Sequence, residues 1–144
     1  MLPPDSSGID TALLGRLAND AALRALLPDG VWFDTGPPNM RRFAILSVVI
    51  SNDIAQFGRR AIESTIYRVK AVMLMQAGVP GGDIQAAALR IDELLEDAPI
   101  AAPGYGWMTC FREERLRETE VDEHDATILW QHRGGLYRLQ MALT

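Results

Sequence analysis

The sequence holds a single cysteine, Cys110, and two histidines, His124 and His132. One thiol cannot form an intramolecular bridge, and a lone cysteine suits a reducing compartment, so a cytosolic origin is expected. Positive charge is scarce as well: 14 Lys and Arg face 19 Asp and Glu, for a formal net charge of -5. Affinity for nucleic acid depends on clustered cations that displace counterions from phosphate, and the pairs Arg41-Arg42 and Arg59-Arg60 are too few to supply it. Long apolar runs are missing. The longest ends at Ile50, far short of the ~20 residues a membrane-crossing helix needs. Residues 1–8 have neither a basic start nor an apolar stretch, so they read as a short mobile arm and not as a signal peptide.

What is present is the patterning of one domain over residues 9–144. A chain of this length buries roughly 68–70% of its unfolded surface, enough to fold without disulfides or a structural metal. Ser6 or Ser7 can cap a first helix in which Ile9, Leu13 and Leu17 share a face and Asp10 lies in the first turn. Asn19-Asp20 interrupts it, because short polar side chains bond their own backbone, and a second short helix follows through Leu23, Leu26 and Leu27. Pro28-Asp29-Gly30 makes a turn into a brief strand, Val31 to Asp34, and two prolines keep the next loop, Thr35 to Asn39, out of any ladder.

The stretch Phe43 to Ile50 is apolar without alternation, which predicts a strand covered on both faces. One helix can cover only one of them, so a neighbouring subunit is a natural cover for the other. After a loop near Asn52-Asp53, Ala61 to Met75 carries Tyr67, Val69, Ala71 and Met73 on one face and Ser64, Arg68 and Lys70 on the other. That period of two is a half-buried strand, though its ~50 Å extended length requires either a bend or a first half that projects as a hairpin. The turn at residues 78–83 opens a strongly amphipathic helix. Ile84, Ala87, Ala88, Ile91, Leu94, Leu95 and Ala98 form its stripe, Arg90, Asp92, Glu93, Glu96 and Asp97 its polar face, and Pro99 its end. A strand from Trp107 to Phe111 runs on into charge and stops near Glu118 to Asp125. Ile128 to Trp130 and Tyr137 to Met141 form a last strand pair or one bent strand, with Gly134-Gly135 as bend or bulge.

Reactive constellations are thin. The glycine-rich turn before the amphipathic helix lacks the spacing of a phosphate loop, and Asp83 there reads as the helix N-cap. The segment Asp122-Glu123-His124-Asp125, with His132 beyond it, reads as a solvated loop, because metal sites need convergent ligands on a rigid frame. Cys110 reads as a small buried hydrophobe, and no GxSxG elbow occurs. Asp92/Glu96 and Glu93/Asp97 are i,i+4 carboxylate pairs on a polar helix face, and read as ordinary solvated charge. No catalytic, cofactor-binding or metal-ligating residue is therefore assigned, and the chain reads as a non-enzyme. The charged run carries more information. Simple alternation puts Glu113, Arg115 and Arg117 on one face and Arg112, Glu114, Glu118 and Glu120 on the other. This is either a solvated extension or a surface that selects a neighbouring subunit, so Arg112, Glu114, Arg115, Arg117, Glu118 and Glu120 are candidate interface residues, with Arg41 and Arg42.

Several of these stretches together resemble one family. The opening LLGRLANDAALRALLPDGV (Leu13 to Val31), the Pro-Pro loop before the apolar strand, the long strand through Tyr67-Arg68-Val69, the helix Ile84 to Asp97, and the terminal QHRGGLYRL (Gln131 to Leu139) resemble the tail terminator, or tail-completion, proteins of long-tailed bacteriophages and gene transfer agents. The resemblance spans nearly the whole chain, through patterns and not invariant signatures. It implies an α+β subunit, with helices against an antiparallel or mixed sheet, that forms a homo-hexameric ring. Such a ring caps the head-proximal end of the tail tube, stops tube growth, contacts the tail tube protein and the head-completion or connector protein, and lets DNA pass without specific binding. Assembly in the bacterial cytoplasm and a place at the head-tail joint of the virion follow. The resemblance gives no role to Arg41, Arg42 or the charged strand. Another head-tail connector, a baseplate or minor tail component, and a small cytosolic ligand-binding domain are the alternatives.

Overall fold

A computed structural model of the chain describes residues 5–75 and 82–144. Among them, helices α1 (Ser7–Ala18), α2 (Ala21–Leu26) and α3 (Gly82–Leu95) accompany strands β1 (Val31–Phe33), β2 (Arg42–Gln56), β3 (Arg59–Met75), β4 (Tyr105–Val121) and β5 (Leu129–Leu143). The strands form one sheet in the order β1-β2-β3-β5-β4, with β1 parallel to β2 and every other pair antiparallel. The fold is α+β with a mixed sheet, as expected.

Each helix forms where the apolar spacing places it. Ile9, Leu13 and Leu17 of α1, Leu23 of α2, and Ile84, Ala87, Ile91 and Leu95 of α3 are all buried. Every large member of that set contributes about 1.5–3 kcal/mol by leaving water. The ends differ in detail from expectation. Ser6 holds the N-cap position of α1 without a side-chain cap bond, and the Asp5 carboxylate accepts from the Ser7 N–H (3.0 Å) and hydroxyl (2.7 Å) instead. A carboxylate outcompetes a hydroxyl as acceptor at the positive end of a helix. Asp83 lies inside the first turn of α3 and not at its cap, and pairs with Arg42 at 3.0 Å. The helix stops at Leu95, short of Ala98, because Asp97 turns to φ 52° and its N–H bonds Cys110. The glycine-rich turn at residues 78–81 lies outside the described residues.

All these apolar stripes meet one face of the sheet. Tyr67, Val69, Ala71 and Met73 of β3 and Tyr137, Leu139 and Met141 of β5 alternate onto that face and are buried. Two hydroxyls tie it to the helices: Tyr67 donates to Asp10 of α1 (2.6 Å) and Tyr137 to Asp92 of α3 (2.7 Å). A third, Tyr105, donates to the buried Glu63 within the sheet (2.6 Å). The opposite face carries Phe43, Ile45, Ile66, Leu74, Trp130 and Leu136, which are half-buried, and no described helix lies over it. The expectation of two covered faces for residues 43–50 therefore fails within one chain: Ala44 and Leu46 are buried, while Val48, Val49 and Ile50 are exposed.

Residues 52 and 53 form no loop. β2 continues through them to Gln56, and the chain reverses at Phe57-Gly58 in a hairpin that projects past the end of β5, where Ile62 pairs with Ala142. Of the two options for the long β3, the projecting hairpin is the one found. β1 pairs β2 only as far as Leu46, so Val48 to Gln56 is a free edge. At the far side, β4 is the second edge strand.

β5 is one uninterrupted strand, and Gly134-Gly135 is neither bend nor bulge. These glycines serve close approach. A Cβ on Gly134 would sit 2.0 Å from the Val69 carbonyl oxygen, and one on Gly135 would sit 2.8 Å from Arg112 Cδ. Gly134→Ala should destabilise the fold by roughly 2–4 kcal/mol in urea titration, since backbone must move to admit the methyl. Gly82→Ala, where nothing lies within 4 Å, should be neutral or stabilising by about 0.5–1 kcal/mol.

Asp20 joins two helices. Its carboxylate caps α2 through the Leu23 N–H (2.9 Å) and takes both Nε (2.9 Å) and Nη2 (2.7 Å) of Arg90 on α3. The guanidinium bonds above all, helped by the Leu23 N–H, hold the Asp20 pKa down at about 2 against the effect of burial. A depressed carboxylate stabilises the fold fully above its unfolded pKa and loses that contribution as pH falls through its folded one. Thermal stability should therefore decline between about pH 4 and pH 2, and Asp20→Asn should flatten that decline while lowering the Tm at neutral pH.

Candidate functional site

The charged run occupies the outer half of edge strand β4, and a bulge there decides where each charge points. Arg112 pairs with Tyr137 and Glu114 with Leu136, so Glu113 is the extra residue and the alternation resets. Residues paired across antiparallel strands share a face. Arg112, Arg115 and Arg117, opposite Tyr137, Gly135 and Arg133, therefore face the helices, while Glu114, Leu116, Glu118 and Glu120, opposite Leu136, Gly134, His132 and Trp130, face the open side. Glu113 joins them, since it binds the Arg138 guanidinium there. Simple alternation mixes the signs on each face; the bulge corrects this by sorting them, arginines to one side and glutamates to the other.

On the helix side, Arg112, Arg115, Arg117 and Arg133 line a cavity of about 310 Å³ beside Gln85, Ala88 and Leu89 of α3. Arg133 donates to Gln85, and Arg112 reaches across Gly135 to Asp92 at 3.1 Å. Asp92 thus takes both the Tyr137 hydroxyl and a guanidinium and is only 24% exposed, so it is not the freely solvated charge its helix position suggests. Burial above all, and the hydrogen bond to Asp92, push the Tyr137 hydroxyl pKa well above its ordinary value. Arg115 and Arg117 stay exposed.

On the open side the glutamates meet cations of the neighbouring strands. Arg138 binds Glu113 and donates to Ser64 (2.9 Å), Lys70 pairs with Glu118 at 3.4 Å, and His132 Nε2 lies 3.1 Å from Glu120. The His132 side chain is 10% exposed and its Nδ1 has no hydrogen-bond partner among the described residues. Burial first, and then the charge of Lys70, hold its pKa below the ordinary imidazole range, against the pull of Glu118 and Glu120. Near the far end of the sheet, His132, His124, Trp130, Phe43 and Glu120 border a second cavity of about 370 Å³ with Asp122 and Glu123. Its aromatic floor is an edge-to-face pair, Phe43 and Trp130, with centroids 6.4 Å apart. Asp122 organises its loop by accepting from the Trp130 indole (3.0 Å) and the N–H groups of His124 and Asp125.

His124 and His132 therefore share a cavity, which the sequence did not indicate, although no group of three or more His, Cys, Asp or Glu among the described residues is arranged to hold a metal ion. Cys110 is buried, and desolvation pushes its thiol pKa up to about 12, as a small hydrophobe requires. Arg41 and Arg42 are not brought to β4. Arg42 starts β2 and Arg41 precedes it, with β3 and β5 lying between β2 and β4, and their N–H groups bond Asp29 (2.8 and 2.9 Å). Sequence reasoning missed Arg133, which completes the arginine cluster; its place opposite Arg117 depends on a register that only the bulge sets.

Asp92→Asn, which keeps shape but removes charge, should cost about 1–3 kcal/mol by chemical denaturation, as a hydrogen bond to a charged acceptor and an ion pair weaken together.

No protein-family model and no curated protein sequence matches the chain. Solved structures do. The fold is similar to a chain in the virion of a native gene transfer agent particle, with a TM-score of 0.62 and 16% identity over 95% of this chain and 96% of that one. It is also similar to a second solved protein whose name carries no function, with a TM-score of 0.54 and 15% identity over 97% and 96%. At such identities the likeness concerns the fold: this chain has, end to end, the fold of a gene transfer agent virion chain.

Proposed function

We propose that this protein is a structural subunit of a phage-like particle, and within that class the tail terminator: a ring that caps the head-proximal end of the tail tube, ends tube growth and offers a surface to the head-completion proteins. The observation that carries the reading is the end-to-end similarity to a gene transfer agent virion chain. The architecture supports it. The sheet has one face without a described helix and two free edges, β2 beyond Leu46 and all of β4, which is surface suited to neighbours. The edges differ, so a contact between them is head-to-tail, the geometry that closes a ring after a fixed rotation. The arginine face of β4 is where charge selects the partner and its register.

The test is the native mass of the purified protein, alone and mixed with tail-tube protein from the same gene neighbourhood. A ring of about six subunits, free or formed on the tube end, is the expected result. A persistent monomer or dimer without affinity for tube overturns the terminator role, and binding to portal-side proteins instead makes the protein a connector. In the same assay Arg115→Glu with Arg117→Glu should loosen the ring with an unchanged melting profile, since both side chains are exposed.

A further inference from the structure

The projecting hairpin ends in a fully exposed aromatic: Phe57 is 101% exposed, at φ 52° beside Gly58. Arg59 and Arg60 follow it, both exposed, with Arg60 held at 3.3 Å from Asp53 yet 60% open to solvent. The tip thus presents an aromatic ring that no described residue covers, with two exposed arginines close behind it in the strand. The cavity over Phe43 and Trp130 has the opposite character, with an aromatic floor and Glu120, Asp122 and Glu123 around it. The Asp122 carboxyl pKa lies below its ordinary range because the Trp130 indole and the loop N–H groups bond it, so it carries charge at neutral pH. Beneath the rim, His132 Nδ1 has no hydrogen-bond partner among the described residues and lies 4.0 Å from the Glu118 carboxylate.

These two features cannot meet within one chain. His132 is level with Val72 of β3, about twelve residues along that strand from Arg60, which is roughly 40 Å at ~3.3 Å per residue. The tip lies at one end of the sheet and the cavity at the other. We propose that the hairpin tip of one copy docks in this cavity of a second copy, Phe57 against Phe43 and Trp130, and Arg59 and Arg60 against Glu120 and Glu123. Charge complementarity selects the occupant: the cavity takes a cationic, aromatic-tipped segment, and this chain displays one. A tip seated in a distant pocket is a heterologous contact, so each copy gives one hairpin and receives one, as a closed ring requires. The stacked rings and their guanidinium flanks would supply the buried centre of the contact, where aromatic and arginine anchors dominate affinity.

The inference rests on the assembly reading only in taking a second copy as occupant. Its test uses sedimentation of the full chain over a concentration series. Phe57→Ala should weaken self-association about tenfold without altering the melting profile, because the side chain makes no contribution to the fold. Arg59→Glu with Arg60→Glu, and separately Glu120→Arg with Glu123→Arg, should each weaken it by at least that factor, and the chain carrying all four reversals should recover to within about threefold of the original. Wild-type assembly by the Phe57 and Arg59/Arg60 variants overturns the hairpin contact while leaving a ring intact. A four-reversal chain no better than its parents shows that the hairpin meets something other than this cavity, and overturns it too. A wild-type chain that stays monomeric at millimolar concentration removes a second copy as occupant, and the mixing experiment with tube protein then judges the ring reading by itself.

Discussion

Because α1, α2 and α3 all pack on one face of the sheet, the other face has only its own side chains to satisfy it. Three tyrosines make that arrangement rigid: Tyr67 and Tyr137 reach from central strands to carboxylates on α1 and α3, and Tyr105 reaches from the edge strand β4 to Glu63 on β3. Each hydroxyl is buried and bonded to a carboxylate, so none is left to be solvated, and each bond fixes the distance between two elements. What remains outside is a half-apolar sheet surface stitched by Glu113 to Arg138, Glu118 to Lys70 and Glu120 to His132. The cross-strand ion pairs cover part of it. They do not cover Phe111, Ile50 or Ile54, each more than a third exposed.

One inserted residue governs the chemistry of the outer edge. Without the bulge at Glu113, the arginines and glutamates of β4 would alternate into mixed faces and neutralise one another locally. With it, arginines collect beside α3 and glutamates on the open face, and a chain of net charge -5 acquires a concentrated basic pocket at one margin. Gly135 belongs to the same device, since only a residue without Cβ lets Arg112 lie across β5 to Asp92. A glycine and a bulge, neither charged, thus set the electrostatic pattern of the surface.

The sequence was most legible where periodicity speaks directly. Ile84, Ala87, Ile91 and Leu95 lie where a helical stripe puts them, and Tyr67 to Met73 where alternation does. It was least legible where alternation breaks or where a partner lies far away in sequence. Asn52-Asp53 looks like a loop because these residues lie on the free edge of β2, paired to β3 on one side only, and polar residues cost nothing at an edge that faces water. Gly134-Gly135 looks like a bend because glycine weakens a strand, yet the reason for it is the Val69 carbonyl on the adjacent strand. Of the candidate interface residues, Arg112, Arg115 and Arg117 converge, and Arg133 completes them from a different strand; Arg41 and Arg42 lie elsewhere. Convergence of that kind is a property of register, which no spacing rule contains.

The two edges of the sheet also differ in how they would treat a neighbour. β4 carries charge along its outer half, which discourages indiscriminate pairing and admits only a strand or surface of matching pattern. The free part of β2 offers Val48, Val49, Ile50 and Ile54 with little charge before Asp53, the kind of edge that aggregates when left open. A chain built to remain alone would shorten such an edge or place lysine on it. This one lengthens it into a hairpin and ends it in Phe57, the most exposed large hydrophobic residue described. In the assembly proposed above, an unprotected apolar edge at one margin and a charge-sorted edge at the other suit a head-to-tail neighbour better than a symmetric dimer, in which each edge would have to meet its own copy.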